Sequence, residues 1–357
     1  MVRDTLSTLP LSDIYPPPNH WIYESEEIRT LWEYHFKHGK QPDARLKRHP
    51  LRLLDESKLK LDIAGDESAI IQDQATGEIV AMVYRTFMPG QYHSILEWIN
   101  ATILSSIGRE KSARLEDPGK IVQTGYSAGS RSHPQFDWAK NLLSKTYSTE
   151  EQQEIGYLES SIFALFWNMA RKLIHGDISK DIEEFLETGI ARMDNKGKQK
   201  ANNTYTIQHE QEIYEFNQGE LAPPVGFFAS NYSRYLEKLL TETFRAIHKK
   251  TAPHKYSLFW TTERSLEANQ GGNFFISDYG IRIRGAENTL VAWQTRMFHG
   301  TSLARLDSIE SYTGKGQVGL SIVSLNRLPK IWERYMNEGI DEEELKRELE
   351  EGEEEWE

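Results

Sequence analysis

The stretch over residues 251–327 constrains the fold of this chain more than any other part. Within it, residues 271–303 read GGNFFISDYGIRIRGAENTLVAWQTRMFHGTSL, in which short β-rich runs alternate with glycine-containing turns. The runs lie at 273–277, 279–284 and 289–293, and a further one follows at 318–324. Several short strands at even spacing, with turn signals between them, indicate an antiparallel sandwich or barrel.

His299 follows these runs in the tetrapeptide HGTS. The order of glycine pair, strand, Tyr-Gly, strand, Asn-Thr-Leu strand, His-Gly-Thr and closing strand resembles the core of the 2-oxoglutarate/iron(II) oxygenases. It is most similar to the TET/JBP-type nucleic-acid oxygenases and their fungal relatives. The resemblance implies an α+β fold with a double-stranded β-helix (jelly-roll) core and buttressing helices. It also implies iron(II) and 2-oxoglutarate as cofactors and a nucleic-acid base as the substrate.

The resemblance also implies which residues hold the iron. The family uses a His-x-Asp/Glu pair near the second core strand and a later histidine near the end of the sheet. His299 matches the later histidine, and His254, in the sequence PHKY, matches the first. Tyr256 stands in the carboxylate position, where a phenol with an ordinary pKa of about 10 is a poor ligand. Glu263 and Asp278 lie nearby as alternative carboxylates.

The expected cosubstrate site departs from the family pattern as well. The family places an arginine at the start of the closing strand, where its planar guanidinium pairs with the far carboxylate of 2-oxoglutarate. Gln317 occupies that place. Arg327 beyond the strand, or Arg282 and Arg284 on a neighbouring strand, could supply the charge from another direction. Thr301 also belongs to the residues expected to bind the cosubstrate.

Two interpretations of these departures stay open. In the first, the chain is an iron(II)/2-oxoglutarate oxygenase acting on nucleic-acid bases, with catalytic residues that have migrated. In the second, it is a jelly-roll binding module without iron, which holds a nucleic acid, a protein or a small acid. A literal His-x-Asp at His175-Gly176-Asp177 lies between two predicted helices, where capping explains it. The fold alone does not decide between the two functions.

A basic run near the N-terminus suggests a nucleic-acid partner. Between 37 and 52 the charged residues are Lys37, Lys40, Asp43, Arg45, Lys47, Arg48 and Arg52. Such a run can neutralise phosphates. The alternative is a solvated loop whose charges pair with acidic neighbours at little gain in stability.

The overall charge of −12 is concentrated in a C-terminal tail. Residues 341–357 carry eleven acidic and two basic side chains, which leaves the rest of the chain at −3. The absence of cysteine excludes disulfides and thiol catalysis. Because the sequence lacks an apolar run of membrane-spanning length and an N-terminal apolar signal region, we expect no membrane span and an intracellular protein, nuclear or cytoplasmic.

The organisation along the chain follows from these patterns. We predict an N-terminal extended, basic arm over 1–60, one compact unit over 61–338 with its jelly-roll core mainly in 204–327, and an acidic tail over 339–357. Apolar residues at helical spacing predict helices at 92–107, 155–174 and 233–248. Hairpins are predicted at 69–86 and 204–216.

Overall fold

The structure is a computed structural model that describes residues 4–38, 49–113, 120–130, 132–144, 147–194, 205–209, 212–216, 221–230, 245–305 and 316–337. Its helices are α1 (Glu26–His38), α2 (His93–Arg109), α3 (Thr149–Leu173), α4 (Gly176–Glu187) and α5 (Leu328–Met336). Its strands are β1 (Asp4–Thr8), β2 (Trp21–Tyr23), β3 (Leu51–Leu53), β4 (Leu61–Ile63), β5 (Ala69–Asp73), β6 (Ile79–Arg85), β7 (Lys120–Gly129), β8 (Pro134–Trp138), β9 (Tyr205–His209), β10 (Glu212–Phe216), β11 (Val225–Ser230), β12 (Tyr256–Arg264), β13 (Phe274–Ile276), β14 (Ile281–Ile283), β15 (Thr289–Gln294), β16 (His299–Thr301) and β17 (Gln317–Ile322).

Nine strands form the main sheet, in the order β1-β5-β6-β15-β12-β17-β11-β7-β8. Neighbouring strands run antiparallel, except for the parallel pair β1 and β5. The central strand β12 is buried along most of its length, because both faces of the sheet are covered. Leu258 and Trp260 belong to the core on one face, and Phe259 and Thr261 line a cavity on the other.

Helices α2, α3 and α4 cover the first face of the main sheet. Helix α3 begins at a capping box in which Ser148 and Glu151 bond each other's backbone N–H groups. Phe163 of α3 stacks on Phe228 of β11, with ring centroids 5.0 Å apart. A Cβ atom at Gly226 would lie 2.3 Å from the Phe163 ring, so glycine permits this close approach of helix and sheet.

A small sheet, in the order β16-β13-β14-β4, covers part of the second face. The two sheets share a buried apolar cluster. Its members on the main sheet include Ile71, Val83 and Val291, and those on the small sheet include Ile276, Ile281 and Ile283. The small sheet therefore packs on the main sheet as the second layer of a sandwich.

From β11 onward the chain alternates between the two sheets. It leaves the main sheet at β11, and the segment 245–250 then lies against β16 through a bridge between His248 and His299. The chain returns to the main sheet as β12, forms β13 and β14 in the small sheet, and returns as β15. It then forms β16 in the small sheet and closes with β17 between β12 and β11. This alternation encloses a space between the layers.

The α+β class predicted from the sequence is confirmed, as are the predicted helices that correspond to α2 and α3. The strands predicted at 273–277, 279–284, 289–293 and 318–324 and the two hairpins are also present, with ends that differ by a few residues. The prediction that a helix reaches His248 is wrong, because residues 245–248 are not helical and His248 forms a bridge with His299 of β16. The earlier part of that helix, most of the basic run and the acidic tail lie outside the described residues.

The predicted N-terminal arm contacts both sheets. Its first strand, β1, pairs with β5 at the edge of the main sheet, while β2 and β3 pair with each other. The division of the chain into arm, unit and tail stays a prediction. In the part of the chain that the structure describes, no helix is long and apolar enough to cross a membrane.

Candidate ligand-binding cavity

A cavity of about 630 Å³ lies between the main sheet and the small sheet. Strands β6, β7, β11, β12, β15 and β17 line it from the main sheet, and β13, β14 and β16 line it from the small sheet. The segment 245–250 contributes the side chains at one edge. Pockets of this size, roughly 300–1,000 Å³, hold small organic ligands in many proteins.

Two histidines lie side by side at the edge formed by β16 and segment 245–250. The backbone N–H groups of His248 and His299 each donate to the other residue's carbonyl oxygen, at 2.8 and 2.7 Å, and the ring centroids lie 4.5 Å apart. Nδ1 of His248 lies 2.9 Å from the carbonyl oxygen of Ala246, and Nδ1 of His299 lies 2.7 Å from that of Met297. Because a carbonyl only accepts, each Nδ1 carries the hydrogen, and a neutral ring then has its lone pair on Nε2.

His299 is neutral in the folded protein. Burial lowers its pKa to about 3, and the positive charges of Arg245 and Lys250 act in the same direction. The Nε2 atom of His299 is therefore a hydrogen-bond acceptor at neutral pH. Because the charges of Arg245 and Lys250 lower this pKa, both residues place positive charge near His299.

The charged side chains that line the described part of the cavity are all cationic. They are Arg85, Arg245, Lys250, Arg284 and Arg327. Backbone carbonyl oxygens and a threonine hydroxyl accept the hydrogen bonds of the Arg85 guanidinium, and Asp62, which does not line the cavity, binds Arg284. A lining of one charge sign between low-dielectric walls attracts ions of the opposite sign. The cavity therefore favours anions over metal cations.

Away from this edge the cavity wall is largely apolar and aromatic. The lining there includes Phe227, Phe259, Phe274, Ile283, Val291 and Trp293. The ring of Trp293 lies 5.2 Å from that of Phe274 and 5.6 Å from that of His299, so the aromatic wall continues into the histidine pair. The buried Nε1 atom of Trp293 has no hydrogen-bond acceptor among the described residues, which is uncommon for a buried indole N–H.

A buried arginine holds the glutamine that the sequence placed at the cosubstrate site. Nη1 of Arg264 donates to Oε1 of Gln317 at 2.7 Å, and Nη2 donates to the carbonyl oxygen of Gly271 at 2.6 Å. Burial lowers the pKa of Arg264 to about 10, and the side chain stays protonated at neutral pH. Arg264 therefore fixes the amide oxygen of Gln317 toward the buried guanidinium.

The residues predicted from the sequence divide into two sets. Four of them line the cavity: His299, Thr301, Gln317 and Arg327. His254 and Arg282 are not part of the lining. The structure thus brings together one predicted metal ligand and three predicted cosubstrate residues. The roles assigned to all six stay predictions.

Both ring nitrogens of His254 are engaged in hydrogen bonds. Nδ1 lies 2.6 Å from the carbonyl oxygen of Tyr256, and Nε2 lies 2.8 Å from Oγ of Ser324. Since Nδ1 must donate to the carbonyl, the Nε2 lone pair accepts from the serine hydroxyl. The ring packs against Phe185 of α4, with centroids 5.1 Å apart. The phenol of Tyr256 donates to the carbonyl oxygen of Ile79, and burial raises its pKa, so this residue does not act as a carboxylate substitute.

Arg282 lies in a group of acidic side chains from the N-terminal part of the chain. It bonds Glu24 at 3.1 Å, Glu56 at 2.6 Å and Asp62 at 2.5 Å. Its side chain is almost fully buried, and the acidic partners raise its pKa although burial alone acts in the opposite direction. These three ion pairs hold separate segments of the chain together, and they engage the guanidinium of Arg282.

Sequence reasoning missed His248 and Lys250. The dipeptide His-Lys occurs at His248-Lys249 and again at His254-Lys255, and each is followed by a residue that is not a carboxylate. Apolar residues at helical spacing assigned the first dipeptide to the end of a helix. The available signal was the repeated dipeptide itself, but only the pairing with β16 shows which copy lies beside His299.

The described residues do not fit an iron(II) site of two histidines and one carboxylate. His248 and His299 offer two imidazoles, but the position two residues after His248 is occupied by Lys250. Among the described residues, no group of three histidine, aspartate or glutamate side chains could hold a metal ion. The literal His-x-Asp caps α4, because Nδ1 of His175 accepts from the backbone N–H of Asp177 at 3.2 Å. The sequence therefore lies at a helix end as predicted, but His175 provides the cap, and Gly176 and Asp177 are the first residues of α4.

Comparison with known proteins gives distant structural likenesses. No family model and no curated protein matches the chain. NgTET1 in complex with 5mC DNA is similar at a TM-score of 0.45 and 11% identity, covering 74% of this chain and 77% of that one. A prolyl-4-hydroxylase from Pseudomonas putida gives 0.33 and 10%, covering 68% and 90%. A 2OG-Fe(II) oxygenase family oxidoreductase from Burkholderia pseudomallei gives 0.32 and 12%, covering 69% and 87%. Likenesses at this level carry no statement about the metal, substrate or partner of this chain.

Proposed function

We propose that this chain is a jelly-roll binding protein that holds a small organic anion between its two sheets without iron. The observation that carries the proposal is the position of Lys250. Its side chain lines the cavity at the histidine edge, two residues after the histidine that pairs with His299. The oxygenase pattern requires a carboxylate at that spacing to complete the iron site. An ammonium group there repels a dication and attracts an anion.

The rest of the lining supports the same function. Arg245 adds a second positive charge at the histidine edge, and Thr295 and Thr301 add hydroxyl groups. Gln317, held by Arg264, adds a polar side chain from the main sheet. Donors and positive charges around an apolar cavity suit a carboxylate or phosphate group on an organic body.

The experiment is calorimetric titration of the protein with 2-oxoglutarate, a dicarboxylate probe, in the presence of EDTA. We expect one binding site per chain that needs no metal. Lys250→Gln should weaken the binding at least tenfold, because a hydrogen bond to a charged group contributes about 1.5–3 kcal/mol. Lys249→Gln is the matched control, since the Lys249 ammonium lies over the ring of Phe298 and does not line the cavity. Equal affinity of wild type and Lys250→Gln would contradict the proposal.

An iron(II)/2-oxoglutarate oxygenase acting on nucleic-acid bases is the second candidate, and the adjacent imidazoles of His248 and His299 favour it. Its third ligand would have to come from outside the described residues. Anaerobic titration of the wild type with iron(II) tests this candidate directly. One tightly bound iron per chain, lost in His299→Ala, would replace the first proposal with the second.

A further inference from the structure

One polar atom of the cavity wall specifies a feature of the ligand that does not depend on its charge. We infer that the ligand carries a hydroxyl group on an aromatic ring, and that this hydroxyl donates a hydrogen bond to Nε2 of His299. The inference rests on the proposed function in one respect only, that a small ligand lies between the two sheets. It requires no ion pair between the ligand and a cationic side chain.

The imidazole of His299 offers one hydrogen-bond acceptor. Its Nδ1–H group donates to the carbonyl oxygen of Met297 at 2.7 Å, which leaves the lone pair on Nε2. Among the described residues, this Nε2 atom has no hydrogen-bond partner. The residue is 6% exposed and belongs to the cavity lining. Because the polar atoms of such deeply buried side chains are normally paired, the lone pair marks a position for a donor of the ligand.

The electrostatic surroundings keep Nε2 of His299 an acceptor at neutral pH. A protonated imidazole would present Nε2 as a donor instead. Burial lowers the pKa of His299 to about 3, and the charges of Arg245 and Lys250 act in the same direction through space, in addition to the other interactions that these two residues make. The ligand group that meets Nε2 must therefore donate. A carboxylate or an ether oxygen, which only accepts, does not satisfy it.

Aromatic rings surround this acceptor. The centroid of the His299 ring lies 5.6 Å from that of Trp293, 6.0 Å from that of Phe274 and 4.5 Å from that of His248. All three neighbours line the cavity as well. Aromatic rings gain from stacked or edge-to-face contacts with other rings. A hydroxyl joined directly to an aromatic ring therefore combines the donor that Nε2 lacks with a ring for this wall, and a cavity of about 630 Å³ holds a compound of that kind.

The test compares 2-naphthol with 2-methoxynaphthalene, in which a methyl group replaces the hydroxyl hydrogen, by equilibrium dialysis in EDTA. We expect the wild type to bind 2-naphthol at least tenfold more tightly, because the ether leaves the Nε2 lone pair unpaired in an enclosed site. His299→Phe keeps a ring beside Trp293 but removes the acceptor, and should reduce the preference for 2-naphthol to less than twofold. If this variant does not fold, the comparison of the two probes on the wild type still decides the inference.

His20→Phe is the matched control. Nδ1 of His20 lies 2.7 Å from the carbonyl oxygen of Pro18, two residues earlier, as Nδ1 of His299 does from that of Met297. His20 is not part of the described cavity lining. The variant should therefore retain the full preference for 2-naphthol. Loss of the preference in both variants would mean that it does not arise at Nε2 of His299, and would overturn the inference.

The outcomes for this inference and for the proposed function are separate. Equal affinity for the two probes, no binding of either, or a preference that persists in His299→Phe refutes the hydroxyl contact. Binding of 2-oxoglutarate that depends on Lys250 would then still support the anion-binding function. If 2-naphthol binds with the expected dependence on His299 while 2-oxoglutarate does not bind, the anion-binding function fails and the hydroxyl contact stands.

Discussion

On the proposed function, Lys250 occupies the position at which an iron(II) site of the oxygenase type would have its carboxylate. The Nε2 lone pairs of two neutral imidazoles and one carboxylate form the facial set of ligands that holds iron(II). With His248 and His299 as the two imidazoles of such a set, Lys250→Asp should create divalent-metal binding, which we expect the wild type to lack. We expect about one cobalt(II) per chain by spectroscopic titration, with affinity lost again in Lys250→Asp combined with His299→Ala.

The neighbouring lysine provides a matched control. Lys249→Asp introduces the same change of charge beside the ring of Phe298, which lies away from the cavity lining, and should not bind cobalt(II). Equal binding by both variants would show that net charge, and not the position of the carboxylate, attracts the metal. In that case the assignment of Lys250 to the carboxylate position would be wrong.

Individual residues of the site were predictable only where a local pattern pointed to them. His299, Thr301 and Gln317 follow from the strand order and the HGT sequence, and the structure places them on the cavity. His248 did not follow, because two His-Lys dipeptides lie six residues apart and the choice between them depends on a contact with β16. That contact joins residues about fifty positions apart in the chain, beyond what a local pattern can report.

Among the elements, β16 and segment 245–250 position the histidine pair, and Gly300 lets them meet. A Cβ atom at Gly300 would lie 2.7 Å from the carbonyl oxygen of Arg245 and 3.1 Å from Ala246. Gly300→Ala should therefore push the two segments apart, with a loss of about 1–3 kcal/mol in the free energy of unfolding and at least tenfold weaker anion binding. Chemical denaturation and calorimetry measure the two effects.

Gly90→Ala is the control for this substitution, because a Cβ atom there meets no atom within 4 Å and the backbone is not left-handed. It should change neither quantity. If Gly300→Ala lowers stability but leaves anion affinity intact, segment 245–250 does not position the ligand.

Behind the main sheet, two buried carboxyl groups link α2 to α3. Glu110 accepts from Asn141 at 2.7 Å, and Glu159 accepts from Ser106 at 2.6 Å and from Thr124 at 3.2 Å. Burial, together with the charge of Glu159, raises the pKa of Glu110 from 4.5 to about 10. At pH values between these two pKa values, Glu110 keeps its proton in the folded protein, whereas the same side chain has lost it in the unfolded chain. Stability from this group is therefore present at low pH and falls as the pH rises.

Glu110→Gln removes this dependence while keeping the shape and hydrogen-bonding groups of the side chain. The stability of the wild type relative to the variant should fall above about pH 5, by up to about 1.4 kcal/mol per pH unit. Urea denaturation at pH 5, 7 and 9 measures the difference. Parallel stability profiles for the two proteins would mean that Glu110 is ionised in the folded state.

Most of the helices and strands were predictable, and the helix predicted to reach His248 shows where the prediction fails. Strands β13, β14, β15 and β17 follow from short runs between glycine turns, and α3 follows from its capping box and apolar spacing. The helix predicted to reach His248 fails at its end, because the apolar spacing there continues into a segment that pairs with β16. Helical periodicity in a short stretch does not exclude pairing with a strand that lies far along the chain.

In the whole molecule, one buried arginine links the N-terminal residues to the small sheet. Arg282 of the small sheet bonds Glu24, Glu56 and Asp62. Glu24 in turn accepts from the side chains of Asn273 and Ser302 at the start and end of the same sheet. Glu24 and Glu56 therefore join the first sixty residues to the small sheet, and Asp62 lies on β4 of that sheet.

Removing this arginine should loosen the N-terminal residues from the small sheet. Arg282→Met leaves Glu24 buried without its cationic partner, and breaking a buried pair in this way costs about 3–5 kcal/mol. We expect a fall of that size in the free energy of unfolding, together with faster thermolysin cleavage within residues 4–60 and weaker anion binding. The control is Arg29→Met, which breaks two exposed ion pairs on α1 and should cost less than about 1 kcal/mol. If cleavage within 4–60 is unchanged in Arg282→Met although stability falls, the arginine stabilises the small sheet alone, and the N-terminal residues are held by their strand pairing in β1.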